Sequence, residues 1–292
     1  MKTMKWIGVV TAGLMAAALF GPARAAAPET VWVLDGMKTP ESVYYDADRN
    51  ILYVSNMAGA PTDANGTGYI AKVSLDGNIV DPAWVTGLNA PKGMAAFGGK
   101  LYVSDINRLV EIDIEAGKVV ATYEAPKAKF LNDVTVDQNG AVYVSEFIDS
   151  AIYRLSEGRF EIWLEDAALA SPNGLVAEEE RLMIGAWGVM TDGFGTKVPG
   201  HLMQVDYFSK TLSSVGDGTP VGNLDGLAAV GDGSYLATDW IAGGVYHLQP
   251  SGAATLILDL NQGSADMTYI PSERLILIPM MNDNQIIAAR LP

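Results

Sequence analysis

The sequence predicts an all-β fold, a six-bladed β-propeller, on three observations: six copies of a hairpin motif, further strands after every copy, and a spare strand at the N-terminus that the last copy lacks. The copies read PESVYYDADRNILYVSN from Pro40, PKGMAAFGGKLYVSD from Pro91, LNDVTVDQNGAVYVSE from Leu131, PNGLVAEEERLMIGAW from Pro172, LDGLAAVGDGSYLATD from Leu224 and ADMTYIPSERLILIPM from Ala265. Each is a short apolar strand, a turn rich in Asp, Gly, Asn or Glu, and a second strand of the LYVS type.

A third strand follows each hairpin, and a fourth follows in five of the six copies: IAKVSLDG then IVDPAWVTG in the first, AIYRLSEG then RFEIWLED in the third. Four antiparallel strands per repeat make a blade. The sixth copy ends in NQIIAARLP with only three strands, and TVWVLDG at 30–36 supplies the fourth. Closing the ring in this way removes an open sheet edge. No helix signal of useful length and no linker appears, so residues 26–292 read as one propeller domain.

Residues 1–25 read as a cleaved signal peptide: Lys2 and Lys5, an apolar run from Trp6 to Phe20, then Ala23-Arg24-Ala25. The run is interrupted by Thr11 and Gly13 and is shorter than the ~20 residues of a membrane span. Losing Lys2, Lys5 and Arg24 takes the formal charge from −15 to −18. So acidic a surface repels nucleic acid and anionic lipid and attracts cations.

The chain has no cysteine, which excludes thiol catalysis, disulfides and thiolate metal sites. Export without cysteine points to a periplasmic or secreted protein. The expected partner is a small-molecule substrate, for a monomer without nucleic-acid or membrane contacts after cleavage. No phosphate-binding glycine motif, nucleophile elbow or redox motif is present.

The second residue of each copy is polar: Glu41, Lys92, Asn132, Asn173, Asp225 and Asp266. In a propeller these positions converge on the central channel, so the six form one polar ring. Its carboxylate and amide oxygens, without His or Cys, suit a hard cation such as Ca²⁺ and disfavour zinc or copper. Lys92 admits a second reading, in which its ammonium replaces the cation by pairing with Glu41 or Asp266.

A second ring is expected at the ends of the second strands, at Asn56, Asp105, Glu146, Trp187, Asp239 and Met280. Two long connections, from Met57 and from Gly188, lie beyond that rim as candidate lids. Trp187, Trp240, Met280 and Met281 would form apolar walls.

The ordered set Glu41 in PES, Asn132 in LNDV, Asn173 in SPNGL and Asp225 in LDGL resembles the calcium site of the regucalcin, gluconolactonase and diisopropylfluorophosphatase superfamily. The resemblance runs from about residue 30 to the end. It implies a metal-dependent hydrolase of lactones or related esters, with Glu41, Asn173 and Asp225 as metal ligands. Asn132 would bind metal or substrate, and Asp225 would also act as the acid–base residue. Lys92, Asp133, Asp266 and Trp187 would surround the substrate. The channel histidine of some family members has no match, since His201 begins a third strand and His247 lies within one. The competing expectation is a non-catalytic propeller that binds a small ligand or a protein through its loop face.

Overall fold

The computed structural model describes residues 27–292 together with Met1 and Thr3, so the proposed signal peptide lies, but for those two residues, outside the described part. The strands form six antiparallel sheets of four, five in sequential order from the channel outward and the sixth with the N-terminal strand as its outermost member. The innermost strands begin at Pro40, Pro91, Leu131, Pro172, Leu224 and Thr268. Among the described residues the only helical element is a 3-10 turn at Ala167–Leu169.

The LYVS strands are apolar on both faces because each blade is packed on both faces. Leu52 and Val54 point into a cluster shared with Leu275 and Leu277 of the last blade, whereas Tyr53 packs with Leu101 and Val103 of the next. Six such clusters fill the six junctions between blades. Packing of this kind makes the ring of blades the core, in place of one central hydrophobic interior.

The N-terminal strand Glu29–Asp35 closes the ring. It pairs antiparallel with Gln285–Arg290, from Glu29 opposite Arg290 to Asp35 opposite Gln285, with one register shift between Thr30 and Trp32. Trp32 fastens it to the first blade as well, donating its indole N–H to the Leu75 carbonyl at 2.8 Å.

In the first five blades the pairing of the two inner strands slips immediately after the first residue, as between Pro40 and Val43 or Leu131 and Val134. This bulge frees two residues from the ladder and re-aims their side chains. The Ser or Thr of the LYVS-type strand fills the gap in the ladder. Ser55, Ser145 and Thr238 hydroxyls accept from the backbone N–H of Ser42, Asp133 and Gly226 at 2.9, 2.9 and 2.7 Å. Ser104 and Thr238 then donate to the carbonyls of Asn132 and Ala265 in the following blade.

Pairing of the sixth blade corrects the sequence alignment there by one residue. Ser264 bridges Met280 as Pro40 pairs Asn56, and Met267 takes the core position of Val43. The sixth ring position is therefore Ala265, and Asp266 falls one step further along its strand.

Candidate functional site

Glu41, Lys92, Asn132, Asn173 and Asp225 converge on one cavity of about 290 Å³ at one mouth of the channel. All five are buried. The sixth position is Ala265, which adds no polar side chain to the floor. Asp266, with Asp133, lines a separate cavity of about 240 Å³ at the other mouth. The expected ring of six polar side chains is thus a floor of five, with two carboxylates behind it.

The floor is tied together by amides. Asn132 Nδ2 donates to Asn173 Oδ1 at 2.6 Å, and Asn173 Nδ2 donates to Asp225 Oδ2 at 3.1 Å. Three oxygens are left buried with no hydrogen-bond partner: Glu41 Oε2, Asn132 Oδ1 and Asp225 Oδ1. Buried acceptors without partners are costly, so three in one floor mark a place built for something that supplies positive charge or donors.

Lys92 stands in the floor yet is committed elsewhere. Its Nζ donates to the Ala90 carbonyl at 3.0 Å and lies 4.4 Å from the centroid of the Phe130 ring. No carboxylate of the described residues approaches it within 4 Å. The expected pairing with Glu41 or Asp266 is therefore absent as a contact. Burial lowers its pKa to about 8, against the pull of Glu41 and Asp105.

The carboxylates feel both burial and one another. Burial pushes Glu41 well above the ordinary range, the charges of Asp225 and Asp266 add to it, and the Lys92 ammonium pulls back. Asp225 is raised by burial and then by Asp266. Asp133 is raised likewise, while the N–H groups of Leu175 and Val134 oppose the shift. Burial takes Asp266 up to about 7, although the Ser42 hydroxyl donates to it. Four buried carboxyls thus face one buried ammonium along the channel.

The second ring expected from the sequence does not face the cavity. Asp105 accepts from the N–H of Asn89 and Ala90, Glu146 from Lys129 and Phe130, and Asn56 from Lys38. These side chains hold the loop that feeds each inner strand, and so position the floor. Asp239 does the same at the Asn223 backbone and also bonds the turn after its own strand, at Ile241 and Ala242. Met280 is core. Trp187 was aligned one residue late, for Ala186 is the partner of Pro172.

The residues one step beyond that ring build the wall. Met57, Phe147, Trp187, Trp240 and Met281 all line the cavity, joined by Phe130. The two long connections contribute Pro61 and Phe194. Sequence reading named Trp187, Trp240 and Met281 but missed the three phenylalanines. Of the three, Phe147 carries a signal in the sequence, because the position after every second strand is apolar.

Neither histidine lines the cavity. His201 Nε2 lies 2.8 Å from Ser214 Oγ, and His247 Nε2 lies 2.8 Å from Ser234 Oγ.

No protein-family model matches the chain, and no curated protein sequence matches it. Solved structures do. A gluconolactonase from Xanthomonas campestris superposes with a TM-score of 0.67 at 15% identity, over 93% of this chain and 98% of its own. Virginiamycin B lyase from Staphylococcus aureus gives 0.62 at 15% identity, over 89% and 99%. A streptogramin B lyase gives 0.59 at 14% identity, over 91% and 97%. At these identities the likeness is one of fold, and the chain shares the propeller architecture of a gluconolactonase and of streptogramin lyases.

Proposed function

We propose that the chain is an exported, gluconolactonase-like hydrolase of lactones or related esters that works with a hard divalent cation, Ca²⁺ first among them. The observation that carries this reading is the set of three orphaned oxygens, on Glu41, Asn132 and Asp225, in the floor of one walled cavity. Glu41, Asn132, Asn173 and Asp225 would hold the ion. Two carboxylates and two amides fit an oxygen-seeking cation, whereas no cluster of three or more His, Cys, Asp or Glu residues forms a metal site among the described residues. When bound, the cation polarises the carbonyl under attack and stabilises the charge that develops on its oxygen.

Asp225 is oriented for proton transfer. Asn173 holds its Oδ2, which leaves Oδ1 facing the cavity to accept a proton from the attacking water. Lys92 supplies positive charge beside the floor and moderates its repulsion. The aromatic wall excludes bulk water from the reacting centre.

The second reading, a non-catalytic propeller that binds a small ligand, draws on the same Lys92, whose buried ammonium partly neutralises the floor without a metal. Calorimetric titration of chelator-treated protein separates the two. Saturable calcium binding that Glu41→Gln abolishes supports the hydrolase and opens a lactone screen; no binding leaves Lys92 as the counter-charge and favours the ligand-binding propeller. Export belongs to the proposal on the strength of residues 1–25, and N-terminal sequencing of secreted material should begin near Ala26.

A further inference from the structure

The wall of the cavity is as informative as its floor. Phe147 meets Trp187 edge to face, with centroids 5.3 Å apart, and stacks on Phe194 at 6.0 Å. Trp240 lies 5.9 Å from Trp187, and its indole N–H is already donated to Met281 Sδ at 3.0 Å. Phe130 is covered by the Lys92 ammonium. Of these wall residues, only Trp187 Nε1 is a buried donor without a partner.

An occupant therefore finds its polar partners gathered at the floor, and around its sides meets mostly apolar groups, with Thr39, Asn282 and the Trp187 indole N–H as the exceptions. A sugar lactone carries hydroxyls around its whole ring, more than Thr39, Asn282 and the Trp187 N–H can serve, so most would lose water on entry without a replacement partner. A carbonyl group on an otherwise apolar ring has the opposite fit, with its polar end at the floor and its ring against Phe147, Trp187 and Phe194. The volume of about 290 Å³ lies at the lower end of small-molecule pockets and suits a compact ring-sized molecule.

We infer that the substrate is an apolar, ring-sized lactone or ester, aromatic or alkyl in its body, and not a polyhydroxylated sugar lactone. This rests on the hydrolase reading for the reaction and on the wall for the preference. In the reaction water adds to the carbonyl carbon and the ring C–O bond breaks. The carbonyl side becomes a carboxylic acid, and the water proton goes by way of Asp225 to the leaving oxygen.

The test separates binding from turnover. Binding is read from tryptophan emission in calcium-loaded protein, with dihydrocarbostyril, the lactam counterpart of dihydrocoumarin, against gluconolactam. Dihydrocarbostyril should give a saturable change that gluconolactam does not. Phe194→Ser, on a half-exposed loop, should weaken it about tenfold, while Phe194→Leu retains most of the affinity. Equal binding of gluconolactam, or no saturation with dihydrocarbostyril, overturns the inference. Turnover is read with dihydrocoumarin against glucono-δ-lactone, and dihydrocoumarin should be the better substrate. Binding of the aryl lactam without hydrolysis of either lactone keeps the preference and refutes the hydrolase; faster hydrolysis of glucono-δ-lactone does the reverse.

Discussion

Asn132 donates its side-chain amide to Asn173 Oδ1 across 2.6 Å, and this contact between neighbouring blades fixes which way both amides face. Asn132 Oδ1 is left turned toward the cavity without a partner. Asn132→Ala removes that acceptor and releases Asn173 from its orientation. Calcium affinity measured by calorimetry should fall at least about tenfold, and unchanged affinity would place Asn132 outside the coordinating set.

Lys92 brings a positive charge to the same floor without an ion-pair contact. Lys92→Met keeps the length and apolar stem over Phe130 and deletes the charge. Calcium should then bind about tenfold more tightly, because a cation no longer meets a buried ammonium. Weaker binding would show that the ammonium organises the floor.

Asp266 gives the metal-free protein a pH dependence with a definite sign. Its pKa rises from 3.8 to about 7 on folding, so the folded state holds the proton more firmly than the unfolded chain does. That contribution is full below the unfolded value and is lost as pH rises through about 7. In chelator, Asp266→Asn should match the wild type at about pH 4 and exceed it in thermal stability at about pH 8.5. A difference that does not grow with pH would show that Asp266 is not the group responsible.

Gly226 lies where two innermost strands approach closely. A Cβ there would stand 2.5 Å from Met267 N and 2.7 Å from Asp266 Cα, both on the backbone of the next blade. Gly93 and Gly174 make the same approach to their neighbours. Gly226→Ala should cost about 1–3 kcal/mol in denaturant unfolding, with the slope unchanged. No loss of stability would mean that the blades part easily at the channel.

The blade count and the closing strand were legible because both are written in repetition and alternation, which survive without knowledge of any contact. Five of the six floor positions were legible for the same reason. The sixth failed because Asp266 is polar and was taken as the landmark, whereas the landmark that packing respects is the apolar Met267. In the second ring the position belongs to Ala186, one residue before Trp187. Phe130 and Phe194 lie on connections, outside the repeat, so only folding reveals that they wall the cavity. The anchoring role of Asp105 and Glu146 was hidden too, since a carboxylate that serves backbone N–H groups looks in sequence like one that faces a ligand.

The seam of the ring lies at the outer edge of the sixth blade, while the inner segment of the same blade adjoins the floor. Asp266 donates its backbone N–H to the Glu41 carbonyl at 3.0 Å, and Val43 donates to Asp266 at 3.2 Å. The blade that carries Glu41 is thus moored to the blade that the N-terminal strand completes. Should that strand fray, the sixth blade would be left with three strands and Glu41 would lose part of its footing. An ion held by Glu41 and the docked terminal strand then favour each other by equal amounts, as linkage requires. The clasp of the fold and the grip on the ligand become one equilibrium, visible as slower hydrogen exchange along Glu29–Asp35 when the floor is filled.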